Sequence, residues 1–204
     1  MSPRRPLFAL ALALAAPLAL APAACDLRID TDDGSVDLHV GPWEPFDAVR
    51  VTGDAAVEVH VDPFLARPTV SVSGAAREGD AGIVTALHGG TLEITGGTPA
   101  GVVVVVEVPR LAAVTVVGGG DVGVYEVFDD RLDLELVGSG TIAAEGAVRA
   151  LGVTARGDGV VDASRLRART IDVDARGGAL ATVCASGDVD AIARDGAVIV
   201  RACE

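Results

Sequence analysis

The sequence predicts an all-β fold: a solenoid of short stacked strands with coils of about 18–20 residues, preceded by a less regular β-rich half. Three observations predict it. Glycines recur at nearly constant spacing through the C-terminal half. Apolar residues alternate with polar ones on both sides of each glycine. Half of the 204 residues are apolar but only 3% are aromatic, and a core of Val and Ala suits thin, closely packed β layers.

Taken in chain order, the first stretch is not part of that fold. Arg4 and Arg5 form a charged start, Leu7 to Leu20 form a short apolar run, and Ala21-Pro22-Ala23-Ala24 leads into Cys25. This is the pattern of a secretory signal peptide, and the run is too short to span a membrane comfortably. Two processing routes fit. Ala21-Pro22-Ala23 suits A-x-A cleavage. The segment also resembles a bacterial lipobox, which would place a lipid on the Cys25 thiol, although Pro22 stands where Leu is usual. The expected organisation is a signal peptide over residues 1–24, a tether or cap over 25–45, and one domain over 46–204.

The upstream half reads as strands at Val36–Val40, Val49–Val51, Val57–Val61, Thr69–Ser73, Ile83–Leu87, Leu92–Thr95, Val102–Val108 and Val114–Val117. Turn residues separate most of them, among them Gly53-Asp54, Asp62-Pro63, Gly89-Gly90 and Gly96-Gly97. The five valines Val102 to Val106 read as a strand buried on both faces. A β-branched run of this kind disfavours helix.

The repeat begins near Gly120. The second glycine of each turn falls at Gly120, Gly140, Gly159, Gly178 and Gly196, with spacings of 20, 19, 19 and 18. A short alternating run follows each, such as Val122-Val124 and Ile142-Ala144. About a dozen residues after each glycine comes a second run: Leu132-Leu134-Leu136, Leu151-Val153-Ala155, Ile171-Val173-Ala175 and Val189-Ala191-Ala193. Alternation means strand with one face buried. Two such strands per turn at a fixed period mean a stacked β architecture. Glycine is expected at each corner because it tolerates positive φ and, without a Cβ, lets the next coil approach. One coil buries too little to stand alone, so neighbours must share burial and hydrogen bonds.

The formal charge is −13, and no Lys, Asn or Gln occurs. Such a surface repels nucleic acid, and that function class is discounted.

With these elements in place, "PFDAVRVTGDAAVEVHV", "GGTLEIT", "VVVVVEVPRLAAVTVVGGGDV" and "LDLELVGSGTI" resemble the bacterial family called putative auto-transporter adhesin, head GIN domain. The similarity runs from about Phe46 to Val200. It implies an exported or lipid-tethered protein with a right-handed parallel β-helix-like fold, and it brings no catalytic residues. The later repeats carry Ala-Arg-Gly where the family shows Ser-Gly-Ser-Gly.

No catalytic, cofactor or metal constellation is expected. His39, His60 and His88 have no metal-ligand spacing. Ser139 sits between Gly138 and Gly140 as a turn residue, and no G-x-S-x-G elbow exists. Asp30, Asp32 and Asp33 miss the pattern of a calcium loop. Stacking should align Asp133, Glu135, Asp172, Asp174 and Asp190 as one acidic face, beside Arg156, Arg176 and Arg194 at a corner. That face is either a mutually neutralised surface or a site for a divalent cation or a glycan. Of the three cysteines, Cys25 is the candidate for lipidation. Cys184 and Cys203 lie one coil apart, within disulfide reach, but their parity places them on opposite sides of perfectly regular strands. A bulge would let them pair.

The leading functional expectation is therefore a noncatalytic, adhesin-like or scaffolding envelope protein, lipid-anchored to a membrane or released as an exported protein. Its partner would be a surface glycan or protein. The alternatives are a polysaccharide-active β-helix enzyme and a self-assembling structural protein. Coils this short leave little room for catalytic loops, and exposed terminal coils are unpaired edges.

Overall fold

The computed structural model describes residues 45–74, 82–98 and 100–203. Thirteen strands join in one sheet system, and there is no helix among the described residues. The expected strand Val36–Val40 lies outside them, as do the signal segment, Cys25, His39 and the acidic turn at Asp30 to Asp33.

The upstream strands fall where alternation places them. They are β1 (Ala48–Asp54), β2 (Ala56–Val61), β3 (Thr69–Ser73), β4 (Val84–His88), β5 (Thr91–Gly97), β6 (Val103–Val108) and β7 (Ala113–Gly118). The valine run corrects one expectation. Val104 and Val106 are buried, but Val103 and Val105 are only half-covered. Strand β6 has neighbours on both edges and a core on one face only.

The repeats correct a second expectation. Each is not two short strands but one long, bent strand: β8 (Asp121–Gly138), β9 (Thr141–Gly157) and β10 (Val160–Arg176). Register shifts between Val124 and Val127, and between Asp162 and Arg165, mark the bend. Shorter strands β11 (Leu180–Ala185) and β12 (Val189–Arg194) make the next winding over β10, and β13 (Val198–Arg201) lies over β11 as the start of a further one. Successive windings stack in parallel. Asp121 opposes Thr141 and Thr141 opposes Val160, while Leu134 opposes Val153 and Val153 opposes Val173. Among the described residues, antiparallel pairing occurs only where β3 lies on β6 and β4 lies on β5.

The core is a set of apolar columns, one side chain per winding. Val49, Val114, Leu134, Val153 and Val173 form one, and Val51, Val116, Leu136, Ala155 and Ala175 form another. All ten are at least 98% buried. Each side chain touches the equivalent residue above and below, which is why a repeat in sequence becomes a stack in space.

The corner glycines divide their work differently from expectation. Positive φ falls on the first glycine of each turn: Gly118 (125°), Gly138 (134°), Gly157 (113°) and Gly177 (80°). Of the five second glycines, only Gly196 has it. Gly120, Gly140 and Gly159 are needed for space: a Cβ on Gly120 would lie 2.9 Å from the Ala55 carbonyl oxygen and one on Gly159 2.5 Å from the Gly140 carbonyl oxygen, whereas one on Gly178 would meet only the movable carboxylate of Asp158.

Candidate functional site

The register brings the five predicted acidic residues onto one outward face. Asp133 opposes Gly152, Gly152 opposes Asp172, and Asp172 opposes Asp190. The next column holds Glu135, Thr154, Asp174 and Ile192, and the next holds Arg156, Arg176 and Arg194. The face is not uniformly acidic, because arginines interleave with the carboxylates. Arg131 donates from Nε and Nη2 to Asp133, at 2.8 and 2.6 Å. Arg176 donates in the same bidentate way to Asp174, at 3.0 and 2.7 Å. Arg156 reaches Glu135 at 3.4 Å. The hydrogen bond from Arg176 holds the Asp174 carboxyl below its ordinary value, and the bond to Asp133 raises Arg131 above its own. Gly152 and Thr154, being small, leave a shallow trough of about 370 Å³ between the charged rows. Among the described residues, no three His, Cys, Asp or Glu side chains converge as a metal site.

Sequence reasoning missed a second feature on another face. There the rows are Ala56, Asp121 and Thr141, then Glu58, Gly123 and Ala143. The small residues in the second row leave a trough of about 270 Å³. Tyr125, the chain's single tyrosine, leans into it. A Cβ on Gly123 would meet the Tyr125 ring and hydroxyl at 2.6–2.8 Å, so only glycine lets the ring lie there. His60, opposite Tyr125 in register, stacks on it with centroids 5.0 Å apart and planes 21° from parallel. Glu58 Oε2 lies 3.6 Å from His60 Nε2. The signal was present in the sequence: "AVEVHV" and "DVGVYE" align only when placed one over the other. Nothing within either segment alone points to it.

At the C-terminal end, Cys184 and Cys203 meet as a disulfide with α-carbons 4.6 Å apart. The parity objection dissolves at a register shift between Ala163 and Arg167 on β10. Past that shift Val183, Cys184 and Ala185 are buried in succession, so strict alternation no longer applies.

The family model for putative auto-transporter adhesin, head GIN domain, matches residues 45–204, and the chain belongs to this family. No curated protein matches the chain. Among solved structures it is similar to a putative adhesin from Bacteroides fragilis NCTC 9343. That match has 19% identity and a TM-score of 0.57, and it covers 74% of this chain and 81% of the other. A putative lipid binding protein from Parabacteroides distasonis ATCC 8503 aligns at 16% identity with a TM-score of 0.41, covering 80% and 92% of the two chains. A putative adhesin from the same organism aligns at 13% with a TM-score of 0.42, covering 81% and 92%. At these identities the Bacteroides match shows the all-β, mostly parallel fold, and the other two carry no further argument.

Proposed function

We propose that this head GIN domain protein is a noncatalytic cell-envelope binding module, exported and adhesin-like, whose outward sheet faces meet a glycan. The reading goes with a right-handed parallel β-helix for the stacked windings. It also goes with residues 1–24 as an export signal and residues 25–45 as a tether, with Cys25 as the lipid-bearing residue.

The observation that carries it is the trough over Gly123 and Ala143. A pyranose has an apolar face of C–H groups and a rim of hydroxyls. Tyr125 offers an aromatic wall to the first, while Glu58, Asp121 and Thr141 offer acceptors and a donor to the second. A concave site with one aromatic wall and a few convergent polar groups is the usual form of a small-ligand subsite. The charged face of β8 to β10 supports a binding role in a weaker way: Asp133, Glu135 and Asp174 are held by arginines, an arrangement that neutralises a surface without assembling an acid and a base.

The test is a glycan array probed with the exported chain and with Tyr125→Ala. The expected result is retention of a defined glycan, weakened about tenfold or more, roughly 1.4 kcal/mol, by the substitution. Prolonged incubation should leave that glycan's length unchanged. Retention of no glycan, or undiminished binding by Tyr125→Ala, sinks the reading. Shortening of the glycan would move the protein to the enzyme class.

A further inference from the structure

Past its register shift, each long strand crosses a third outward side of the windings before it reaches the charged face. This stretch holds Val127 and Phe128 on β8, Ala147 and Val148 on β9, and Leu166, Arg167 and Ala168 on β10. Val127, Val148, Leu166 and Ala168 are buried in the core, so alternation turns the residues between them outward. The register then sets three outward columns side by side. Phe128 opposes Ala147, and Ala147 opposes Arg167. On one side of that column Glu145 opposes Arg165. On the other, Asp130, Arg149 and Arg169 fall in line, because the pairs on either side of each are in register.

Arg165, Arg167 and Arg169 occupy alternate positions of β10, so three like charges face the same way at steps of roughly 6.6 Å. No other described strand places three like charges in successive outward positions. Two neighbours are neutralised: Arg165 Nη1 lies 3.4 Å from Glu145 Oε2, and Arg149 pairs with Asp130. Arg167 and Arg169 are exposed and make no ion pair among the described residues. In a chain of formal charge −13, two free guanidinium groups on one side are a local reversal of sign. Beside them Phe128 is 70% exposed, with only the Ala147 methyl between its winding and that of Arg167.

We propose that this side is a second binding site, for an acidic sugar: Arg167 and Arg169 hold its carboxylate or sulfate, and its ring lies over Ala147 against Phe128. The class of partner rests on the reading that the protein binds a glycan, but the site is separate from the Tyr125 trough and names the charge the glycan carries. The windings of Phe128 and Arg167 are two steps apart, roughly 10 Å at about 4.8 Å per step. Ala147 is the floor of that gap, the phenyl ring is an apolar wall for the C–H face of a sugar, and the planar guanidinium forks match the oxygens of a carboxylate or sulfate. Other anionic partners fit less well. An extended peptide would need a free strand edge, and here β10 is bonded to β9 on one side and β11 on the other, with Ser186 N–H donating to Ala168 O at 2.8 Å. An anionic membrane presents a continuous sheet of charge, which would also meet Asp130, Glu145 and the net negative charge of the whole chain. A single anionic group meets only the two free arginines.

The experiment is titration calorimetry of the exported chain with three probes: a short oligogalacturonate, the same oligomer with its carboxylates reduced to neutral alcohols, and a sulfated galactose oligomer. Wild type is expected to bind at least one acidic probe tenfold or more tighter than the neutral one, and the two acidic arms tell carboxylate from sulfate. Raising the salt concentration should weaken the acidic probe and leave the neutral one unmoved. Arg167→Ala and Arg169→Ala should each weaken the acidic probe about tenfold, Arg167→Lys should weaken it less, and Tyr125→Ala, on the other side, should leave this charge preference in place. Acidic and neutral probes that bind alike, or an acidic preference indifferent to both arginine variants, overturn the inference while leaving the Tyr125 trough standing. No binding by any probe overturns both. Equal or tighter binding to phosphatidylglycerol vesicles, lost in Arg167→Ala, would overturn it in favour of a membrane. The salt arm needs no substitution and decides the matter if a variant fails to fold.

Discussion

A single glycine at a corner governs how closely two windings approach. Gly138 has φ of 134°, and a Cβ there would collide with the Gly118 carbonyl of the winding below. Gly138→Ala should therefore destabilise by about 3 kcal/mol, measured by denaturant unfolding, since it adds backbone strain to steric overlap. Gly89 also has positive φ, at 55°, but nothing lies within 4 Å of the position its Cβ would occupy. Gly89→Ala should cost only about 1 kcal/mol. Equal losses at the two sites would show that contact between windings is not what the corner glycines serve. In the core, Leu134→Ala removes a side chain stacked between Val114 and Val153 and should cost about 3 kcal/mol. On the charged face, Arg176 favours the ionised form of Asp174, whose folded value lies below the ordinary 3.8. The stabilisation is present above 3.8 and is lost as pH falls through the lower folded value. The thermal midpoint of wild type should exceed that of Asp174→Asn at neutral pH, by a small amount because the pair is exposed. The difference should vanish in strong acid.

At the scale of elements, alternation made most of the fold legible. Strand β3 is read from Thr69 to Ser73 without error, β2, β5 and β7 are read short by a residue or two, β1 is read short by three residues at its C-terminal end, β4 is shifted by one and β6 begins one residue early. What alternation could not convey was the continuity of β8, β9 and β10. The register shifts between Val124 and Val127 on β8 and between Asp162 and Arg165 on β10 break the period of two without ending the strand, so a register shift looks in sequence like a loop. The same blindness affected the cysteine parity, which a bulge reverses. The charged face was legible because its residues recur at the repeat period. The Tyr125 trough was not, because it depends on β2 lying beside β8, across a gap in sequence that no periodicity spans. The disulfide ties Cys203, just past β13, to Cys184 on β11 in the winding below. Cys203→Ser should lower stability by about 3 kcal/mol, the scale expected for a closed loop of this length. Two free thiols in the denatured, unreduced chain would contradict the pairing.

For the whole molecule, windings that touch only their neighbours should open from the end that has none. Amide exchange should be slowest in β9 and β10, which are paired on both sides, and fastest in β12 and β13. The central claim is parallel stacking of successive windings one directly over another, and cross-strand nuclear Overhauser effects test it most directly. Val153 should show backbone contacts to both Leu134 and Val173, and Ile142 to both Val122 and Val161. Contacts that instead link Val153 to a residue of an adjacent antiparallel hairpin, with none to Leu134 or Val173, would contradict it.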